Sequence, residues 1–339
     1  MKRLAALCLV LCLALTAGCA PAPAQAVPRL ERTFFAMDTV MTLRLYQGGD
    51  EALLDAAQDR VAELEGLLSV TDENSEVYAL NRDGAAAGLS PDTADLLRTA
   101  LEMCGRTGGA LDISTYPVLR AWGFTTGEYA VPSGEDISAL LPLVDYTRVG
   151  LDGDAAFLPP GMEIDLGSVA KGYTGDQLSR LLRENGVASA LLDLGGNIQA
   201  VGAKPDGSPW RVAIRDPEGG GTVGVVSVTD QAVITSGGYE RYFEQDGMRY
   251  WHILDPKTGK PARSGLASVT VVGDSGVLCD GLSTALFVMG LDRALDHWRQ
   301  YQDFEAVFVS EDGSVTITAG LEGRFTPADG GRPPAVARP

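Results

Sequence analysis

The segment from residue 165 to residue 176 combines residue types that could bind a polyphosphate together with a divalent cation. It reads D-L-G-S-V-A-K-G-Y-T-G-D and joins a short apolar run to a stretch with helical periodicity. A helix that begins at Gly167 and Ser168 would present unpaired backbone N–H groups and the positive end of its dipole, which favour phosphate. Lys171 would add positive charge, and Asp165 a carboxylate for a metal ion. The segment contains neither the P-loop nor the G-x-G-x-x-G pattern, and an ordinary β–α turn would explain its glycines.

Asp280 and Thr284 offer a second set of oxygen ligands. They are four residues apart in a predicted helix, 280–289, and therefore share one helical face. A carboxylate and a hydroxyl at this spacing suit a hard cation such as Mg²⁺. Taken alone, the pair is explained more simply by an N-capping aspartate and a threonine that bonds within its own helix.

His252 lies in a predicted strand, 250–254, and is either a proton acceptor or an ordinary packed or surface residue. Tyr239, Tyr242 and Phe243 are close together in the sequence and could stack on a flat heterocycle. Core packing explains such aromatic side chains equally well. Position alone therefore leaves both interpretations open for each of these residues.

The elements that would position these residues form an α+β pattern rather than a regular βαβ alternation. Residues 107–124 show neither helical nor strand periodicity and predict a functional loop or a tight corner. The periodicities predict helices at 51–68, 90–103, 136–141, 177–183, 280–289 and 293–300, and strands at 32–46 (with a break), 146–151, 162–166, 188–194, 210–214, 223–228, 232–235, 250–254, 267–272, 304–309 and 315–318.

The composition excludes several classes of function. The chain has 339 residues, of which 45% are hydrophobic, and a net charge of −18. This charge argues against nucleic-acid binding, and an anionic substrate would need local cations. With two histidines in the chain, a multi-histidine zinc site is disfavoured. None of the five cysteines forms a C-x-x-C pair, which excludes a zinc ribbon or a thioredoxin-type motif.

The N-terminus predicts export. Lys2 and Arg3 precede an apolar run at 4–15, and the sequence L-T-A-G-C that ends at Cys19 resembles a bacterial lipobox, although Thr16 stands where an aliphatic residue is usual. We therefore expect a signal peptide at 1–19 and lipid attachment to Cys19. A plain secretory signal, cut nearby, is the alternative. Either way, the mature protein would work outside the cytoplasm, and with the lipid it would sit on the outer face of the bacterial cytoplasmic membrane.

The remaining chain is divided by composition. Residues 20–30 are rich in proline and alanine and predict an extended tether. Residues 31–326 would form one domain. Residues 327–339 are rich in proline and glycine and predict a disordered tail.

A series of motifs lies in order along nearly the whole mature chain. They are F-A-M-D-T (35–39), G-A-L-D-I-S-T-Y-P-V-L-R-A-W-G-F (109–124), D-L-G-S-V-A-K-G-Y (165–173), L-D-L-G-G-N (192–197), T-S-G-G-Y-E-R-Y-F (235–243), H-I-L-D-P-K-T-G-K-P (252–261), and S-V-T-V-V followed by C-D-G-L-S-T-A-L-F-V-M-G (268–290). With these motifs the chain resembles the FAD:protein FMN transferase (ApbE) family.

The resemblance implies an ApbE-like, T-fold-like arrangement of mixed and antiparallel sheets packed with helices. It implies a Mg²⁺-assisted reaction in which FAD is cleaved, FMN is joined by a phosphoester to a threonine of a target protein, and AMP leaves. It implies metal binding by Asp280, Thr284 and the backbone carbonyl of Ser168, with Ser283 adjacent, and makes His252 the proton acceptor, so that His252 and Asp280 are the catalytic residues. The implied FAD contacts are Met37, Thr71, Ala110, Leu111, Asp112, Asp165, Lys171, Tyr239, Leu254 and Asp255.

Two positions depart from the family pattern: Thr71 stands where many members have tyrosine, and Asp38 where many have glycine. The expected partner is another exported flavoprotein with a D-G-A-T-type acceptor threonine, such as a subunit of a membrane redox complex. The chain's own D-G-A-A at 83–86 lacks that threonine. Two alternatives remain: an FAD pyrophosphatase that releases free FMN and AMP, and a lipoprotein that binds FAD without turning it over.

Overall fold

The computed structural model describes residues 28–331 and 333–339. The predicted signal peptide, Cys19 and most of the predicted tether lie outside the described residues. The tether prediction is wrong at its end, because Leu30 is the first residue of a strand. Within the described ranges, each helix is too short or too polar to cross a lipid bilayer.

Several helices begin at polar residues that satisfy free backbone N–H groups. The side chains of Asp50, Ser75 and Ser90 accept hydrogen bonds at the starts of the first three helices, from the backbone N–H groups of Leu53, Tyr78 and Thr93. The helices are α1 (Glu51–Leu68), α2 (Glu76–Asp83), α3 (Pro91–Arg106), α4 (Tyr116–Ala121), α5 (Gly134–Leu140), α6 (Gly167–Glu184), α7 (Gly276–Met289) and α8 (Leu291–Tyr301).

The strands form one large sheet and several small ones. They are β1 (Leu30–Ala36), β2 (Thr39–Gln47), β3 (Ala85–Ala86), β4 (Gly150–Asp152), β5 (Ala155–Phe157), β6 (Ser189–Leu194), β7 (Asn197–Val201), β8 (Trp210–Arg215), β9 (Thr222–Val228), β10 (Ala232–Gly237), β11 (Tyr242–Gln245), β12 (Met248–Trp251), β13 (Leu254–Asp255), β14 (Lys260–Pro261), β15 (Leu266–Gly273), β16 (Glu305–Ser310), β17 (Val315–Thr318), β18 (Phe325–Pro327) and β19 (Ala335–Ala337).

The large sheet has the order β1-β2-β6-β7-β10-β15-β16-β17-β19. Its neighbours are antiparallel except β17 and β19, which run parallel. Separate small sheets have the orders β18-β9-β8 and β3-β5-β4, and β11-β12 and β13-β14 are two-stranded hairpins. The predicted α+β class is confirmed.

The middle of the large sheet is covered on both faces. Along β10, Ile234 packs into a core shared with α3 and α7, whereas Val233 faces the β8–β9 sheet. Along β15, Val271 and Val272 divide between the same two cores. Because alternate residues of a strand point to opposite faces, a strand covered on both sides is buried along nearly its whole length, as β15 is.

Two predicted strands are wrong near the site. Residues 162–166 are not a strand, because their backbone bonds go to isolated partners. The Ile164 N–H donates to Asn81 Oδ1 (2.7 Å) and the Asp165 N–H to the carbonyl of Ile113 (2.8 Å). In the predicted strand 146–151, Tyr146–Arg148 form a 3-10 turn, and a strand begins only at Gly150.

Helix α6 begins at Gly167, where the sequence predicts the helix entry, and thus starts ten residues before 177–183, the stretch with helical periodicity. The glycine-rich segment is therefore part of the helix and not a loop before it. Residues 107–124, for which the sequence predicts a loop or corner, contain the short helix α4.

The chain's last residues correct another prediction. The disordered tail expected from 327 contains β19, which extends the large sheet by pairing with β17. Arg338 adds two hydrogen bonds. Its side chain donates to the Glu322 carboxylate (2.8 Å), and its carbonyl accepts from the Arg299 side chain (3.2 Å). These partners are distant in sequence, which is why local composition misses them.

Candidate active site

A cavity of about 840 Å³ opens between the β1–β2 turn, the N-terminal end of α6, α7 and the β10–β12 region. Its size falls within the usual range for sites that bind a cofactor-sized molecule. Most of the residues that the sequence predicts for the site line this one cavity: Met37, Thr71, Ala110, Leu111, Asp112, Asp165, Ser168, Lys171, Tyr239, His252, Leu254, Asp280 and Thr284.

Two predicted site residues do not line the cavity. The Ser283 hydroxyl is fully buried, donates to the carbonyl of Asp280 (2.8 Å) and lies 2.7 Å from Ser236 Oγ. The Asp255 carboxylate accepts from the Lys257 N–H (2.9 Å) and so holds its own turn together. The structure therefore favours structural roles for Ser283 and Asp255 in place of the predicted metal and FAD contacts.

The start of α6 also differs from expectation. The Gly167 N–H, expected to be free for phosphate, donates to Asp165 Oδ1 (2.8 Å). Burial raises the pKa of the Asp165 carboxyl, and this hydrogen bond with the charges of Arg241 and Lys171 offsets part of the rise. Asp165 thus acts as a local cap, and the Gly167 N–H is not free for an anion.

Asp280 is a buried acid of the site, with 5% of its surface exposed. Its Oδ2 accepts from the Gly172 N–H (2.8 Å), and burial raises the pKa of the carboxyl while Lys171 opposes the rise. Among the described residues, no lysine, arginine or histidine nitrogen lies within 4.0 Å of it. Burying a carboxylate without an ion-pair partner costs free energy, and a bound cation would offset that cost. The environment of Asp280 therefore suits a cation ligand.

The neighbouring oxygens fit a hard cation. Thr284 stands one turn further along α7, and its Oγ1 lies 3.3 Å from Ser236 Oγ. In a regular helix the Ser168 carbonyl accepts from the Gly172 N–H, and its second lone pair can still bind a ligand. No cluster of three His, Cys, Asp or Glu side chains suited to a metal occurs among residues 28–331 and 333–339. Mg²⁺ commonly accepts so few protein ligands because water and substrate phosphates complete its shell.

His252 is held as a neutral base. Its Nδ1 lies 3.2 Å from the carbonyl of Arg241, and its backbone N–H donates to the same oxygen (3.1 Å). Because a carbonyl can only accept, Nδ1 must carry the ring proton, which leaves the lone pair on Nε2. Burial, helped by the charges of Arg241 and Lys171, lowers the pKa of His252 to about 4.

Positively charged side chains that sequence reasoning did not assign to the site also line the cavity. Arg241 lies 3.5 Å from Asp38, and the Arg215 guanidinium lies 5.8 Å from the centre of the Tyr239 ring. With Lys171 they supply positive charge to a site in an acidic protein. Arg215 stands at the end of a strand, and no local pattern distinguishes it from an ordinary surface arginine.

The β1–β2 turn brings Met37 to the cavity. Met37 and Asp38 both have positive φ, 50° and 60°, which few residues other than glycine, asparagine and aspartate adopt readily. The Met37 N–H donates to Glu65 Oε1 of α1 (2.7 Å), which holds the turn in place. The break expected within 32–46 is thus a tight hairpin, and Glu65 is a further contributor that the sequence did not reveal.

The aromatic residues suggested for ring stacking separate. Tyr239 lines the cavity, whereas Phe243 stacks between Tyr129 (5.1 Å between ring centres) and Tyr250 (5.2 Å). Tyr242 lies under the Arg249 guanidinium, 4.1 Å away. Of the three, Tyr239 alone is placed to meet a ligand in this cavity.

The family comparison agrees with this geometry. The model of the ApbE family matches residues 37–308, a range that includes every cavity residue described above. The chain belongs to the ApbE family. Known ApbE structures share its fold, which confirms the predicted ApbE-like arrangement.

Two crystal structures illustrate the likeness. The ApbE protein of Thermotoga maritima superposes with a TM-score of 0.82 at 30% identity, over 87% of this chain and 98% of that one. The flavinyl transferase ApbE of Pseudomonas stutzeri, in its apo form, gives 0.78 at 32% identity, over 87% and 96% of the two chains.

Relatives named FAD:protein FMN transferase resemble the chain over most of its length. The protein from Klebsiella pneumoniae (strain 342) is 34% identical over 305 residues, 87% of this chain and 93% of the relative. The protein from Treponema pallidum (strain Nichols) is 34% identical over 330 residues, 89% and 90% of the two chains.

Proposed function

We propose that this ApbE-family protein is an FAD:protein FMN transferase that joins FMN to a threonine of a target protein. The threonine Oγ attacks the phosphorus on the FMN side of the FAD pyrophosphate. A new P–O bond forms, the P–O bond to the AMP phosphate breaks, and AMP leaves. The hydroxyl proton passes to His252 Nε2.

The observation that carries the proposal is the state of His252 in the cavity. A threonine hydroxyl is a poor nucleophile and needs a base within reach. His252 lines the cavity, its proton is held at Nδ1 by the Arg241 carbonyl, and its pKa of about 4 keeps Nε2 free at neutral pH. Asp280 and Lys171 line the same cavity, so the proposed base, a carboxylate and a positively charged side chain all face one space.

We propose Mg²⁺ as the resident metal, bound by Asp280, Thr284 and the Ser168 carbonyl. When bound, it would neutralise charge on phosphate oxygens and favour departure of AMP. The support is chemical: Asp280 is buried and has no ion-pair partner within the part of the chain that the structure describes, and the other two groups offer oxygen ligands nearby in the fold. Lys171 adds positive charge to the same site, where it offsets part of the rise that burial causes in the pKa of the Asp280 carboxyl.

We further propose that the protein is exported, and that it is lipid-anchored through Cys19 on the outer face of the cytoplasmic membrane. The acceptor would then be another exported flavoprotein with a D-G-A-T-type threonine. The support is the charged and apolar N-terminus that ends at Cys19, which lies outside the described residues. Intact mass of the protein extracted from membranes tests this, since Cys19→Ala should lose the lipid mass.

The central experiment incubates the full chain, in detergent, with FAD, Mg²⁺ and a domain that carries a D-G-A-T-type threonine. Intact mass spectrometry should show a gain of one FMN on the acceptor, lost when its threonine is changed to alanine and when Mg²⁺ is chelated. AMP release without an adduct would favour the FAD pyrophosphatase. Intact FAD after prolonged incubation would favour an FAD-binding lipoprotein.

A further inference from the structure

A half-buried aspartate outside the cavity lining links the two helices that carry the proposed metal ligands. Asp176 lies on α6, two turns after Ser168, and faces the first residues of α7. Its Oδ1 accepts from the Gly276 N–H (2.7 Å), and its Oδ2 accepts from the Val277 N–H (3.0 Å) and from the Ser275 hydroxyl (3.2 Å). One carboxylate from α6 thus caps the start of α7.

This cap completes the hydrogen bonding of the first turn of α7. The Leu278 N–H donates to Ser275 Oγ (3.3 Å) and the Cys279 N–H to the Ser275 carbonyl (3.0 Å). With the two bonds to Asp176, the N–H groups of Gly276, Val277 and Leu278, which a helix start leaves free, have side-chain acceptors, and the regular helical bonding begins at Cys279. The residue that follows this capped turn is Asp280.

A second contact between the helices lies one turn from the first. Gly172 precedes Asp176 by four residues, and Gly276 precedes Asp280 by four, so each pair shares a helical face. A Cβ on Gly172 would lie 2.2 Å from the Gly276 carbonyl oxygen, so the two backbones are in direct contact. At that contact the Gly172 N–H donates to Asp280 Oδ2 (2.8 Å).

We infer that Asp176 is a positioning residue for the metal site: it sets the register of α7 against α6, and hence of Asp280 and Thr284 against the Ser168 carbonyl. The inference rests on the proposed function for the metal ligands themselves. A carboxylate suits this role because it accepts several N–H bonds and meets the positive end of the α7 dipole. It does not enter the cavity, so its effect is on metal affinity and not on contact with FAD.

The test measures Mn²⁺ binding to the full chain in detergent, without FAD, from the electron paramagnetic resonance signal of free Mn²⁺. Asp176→Ala and Asp176→Asn should raise the Kd for Mn²⁺ about tenfold or more, the usual effect of losing a group that orients metal ligands. Asp50→Ala is the matched control, because Asp50 caps α1 through Leu53 (2.9 Å) and α1 carries no proposed ligand. It should lower the unfolding temperature and leave the Kd unchanged.

A wild-type Kd in either folded Asp176 variant would overturn the inference. The asparagine variant keeps one acceptor oxygen and nearly the same shape, so it decides the question if the alanine variant does not fold. A wild-type protein that does not bind Mn²⁺ would overturn the metal site of the proposed function, and this inference with it. FAD affinity in EDTA, measured by flavin fluorescence, should be the same in Asp176→Asn and wild type.

Discussion

At the scale of single residues, His252 defines the chemistry of the site. Its Nδ1–H donates to the Arg241 carbonyl, which determines which ring nitrogen is free. We expect His252→Ala to slow FMN transfer about 10²- to 10⁴-fold, which is the rate enhancement that a positioned general base usually contributes. FAD binding, measured by flavin fluorescence, should change little. A variant that transfers FMN at the wild-type rate would show that another group takes the proton.

The pH profile offers a separate test of His252. Only the neutral ring can accept a proton, so activity falls as pH drops through the pKa. Burial, together with the charges of Arg241 and Lys171, holds the pKa at about 4 instead of 6.5. The rate of adduct formation should therefore be nearly flat between roughly pH 6 and pH 8 and decline towards pH 4. A decline centred near 6.5 would contradict this environment for the ring.

Ser283 and Thr284 are adjacent in sequence, but their environments differ. Ser283 is bonded within the protein, whereas Thr284 lines the cavity. We expect Thr284→Val to raise the Mg²⁺ concentration for half-maximal transfer at least about tenfold. Losing a residue that only orients a metal ligand already lowers metal affinity by about that factor. Ser283→Ala should leave it unchanged and cost about 1–2 kcal/mol of stability through its buried hydrogen bonds. Equal effects of the two variants on the Mg²⁺ requirement would contradict the assignment.

At the scale of elements, the contact between α6 and α7 depends on glycine. An alanine Cβ at position 172 would lie 2.2 Å from the Gly276 carbonyl oxygen and 2.7 Å from Asp280 Cβ. We expect Gly172→Ala to lower the free energy of unfolding by about 1–3 kcal/mol, as overpacking does. It should also weaken Mg²⁺ binding, because α7 would have to move away from α6. Urea denaturation and a Mg²⁺ titration of activity measure the two effects.

Gly66→Ala is the control for this variant. Gly66 lies within α1, and a Cβ there would have no atom within 4 Å. Alanine is the better helix former, so this change should stabilise the protein by about 1 kcal/mol without altering activity. If both glycine variants behaved alike, helix propensity and not the interhelical contact would explain the result.

At the scale of the whole molecule, the chain's end extends the large sheet. Removing residues 328–339 would delete β19 and expose the edge of β17. We expect the truncated protein to lose about 2 kcal/mol of stability, since each ladder hydrogen bond contributes about 1 kcal/mol. It should also associate more readily through the open edge. Transfer should persist at low temperature, because none of the described residues of this segment (328–331 and 333–339) lines the cavity. Unchanged thermal unfolding would instead agree with a disordered tail.

The sequence by itself determined the features that depend on neighbouring residues. Helix α1 has the bounds that its apolar period predicts, 51–68, because cap, period and end lie in one short stretch. The α+β class, the family and most of the cavity residues follow from motifs whose residues are close together. Asp280 and Thr284 share a face for the same reason, since helical geometry relates positions four apart.

Tertiary structure alone decided what depends on distant partners. Thr284 lines the cavity, whereas Ser283 is buried with its hydroxyl 2.7 Å from Ser236 Oγ on β10. The Nδ1 proton of His252 is set by a carbonyl eleven residues away on the other strand of a hairpin. Residues 162–166 are not a strand because their bonds go to Asn81 and Ile113. β19 forms because β17 offers a free edge. Each outcome is a contact between segments separated along the chain, which local propensity does not encode.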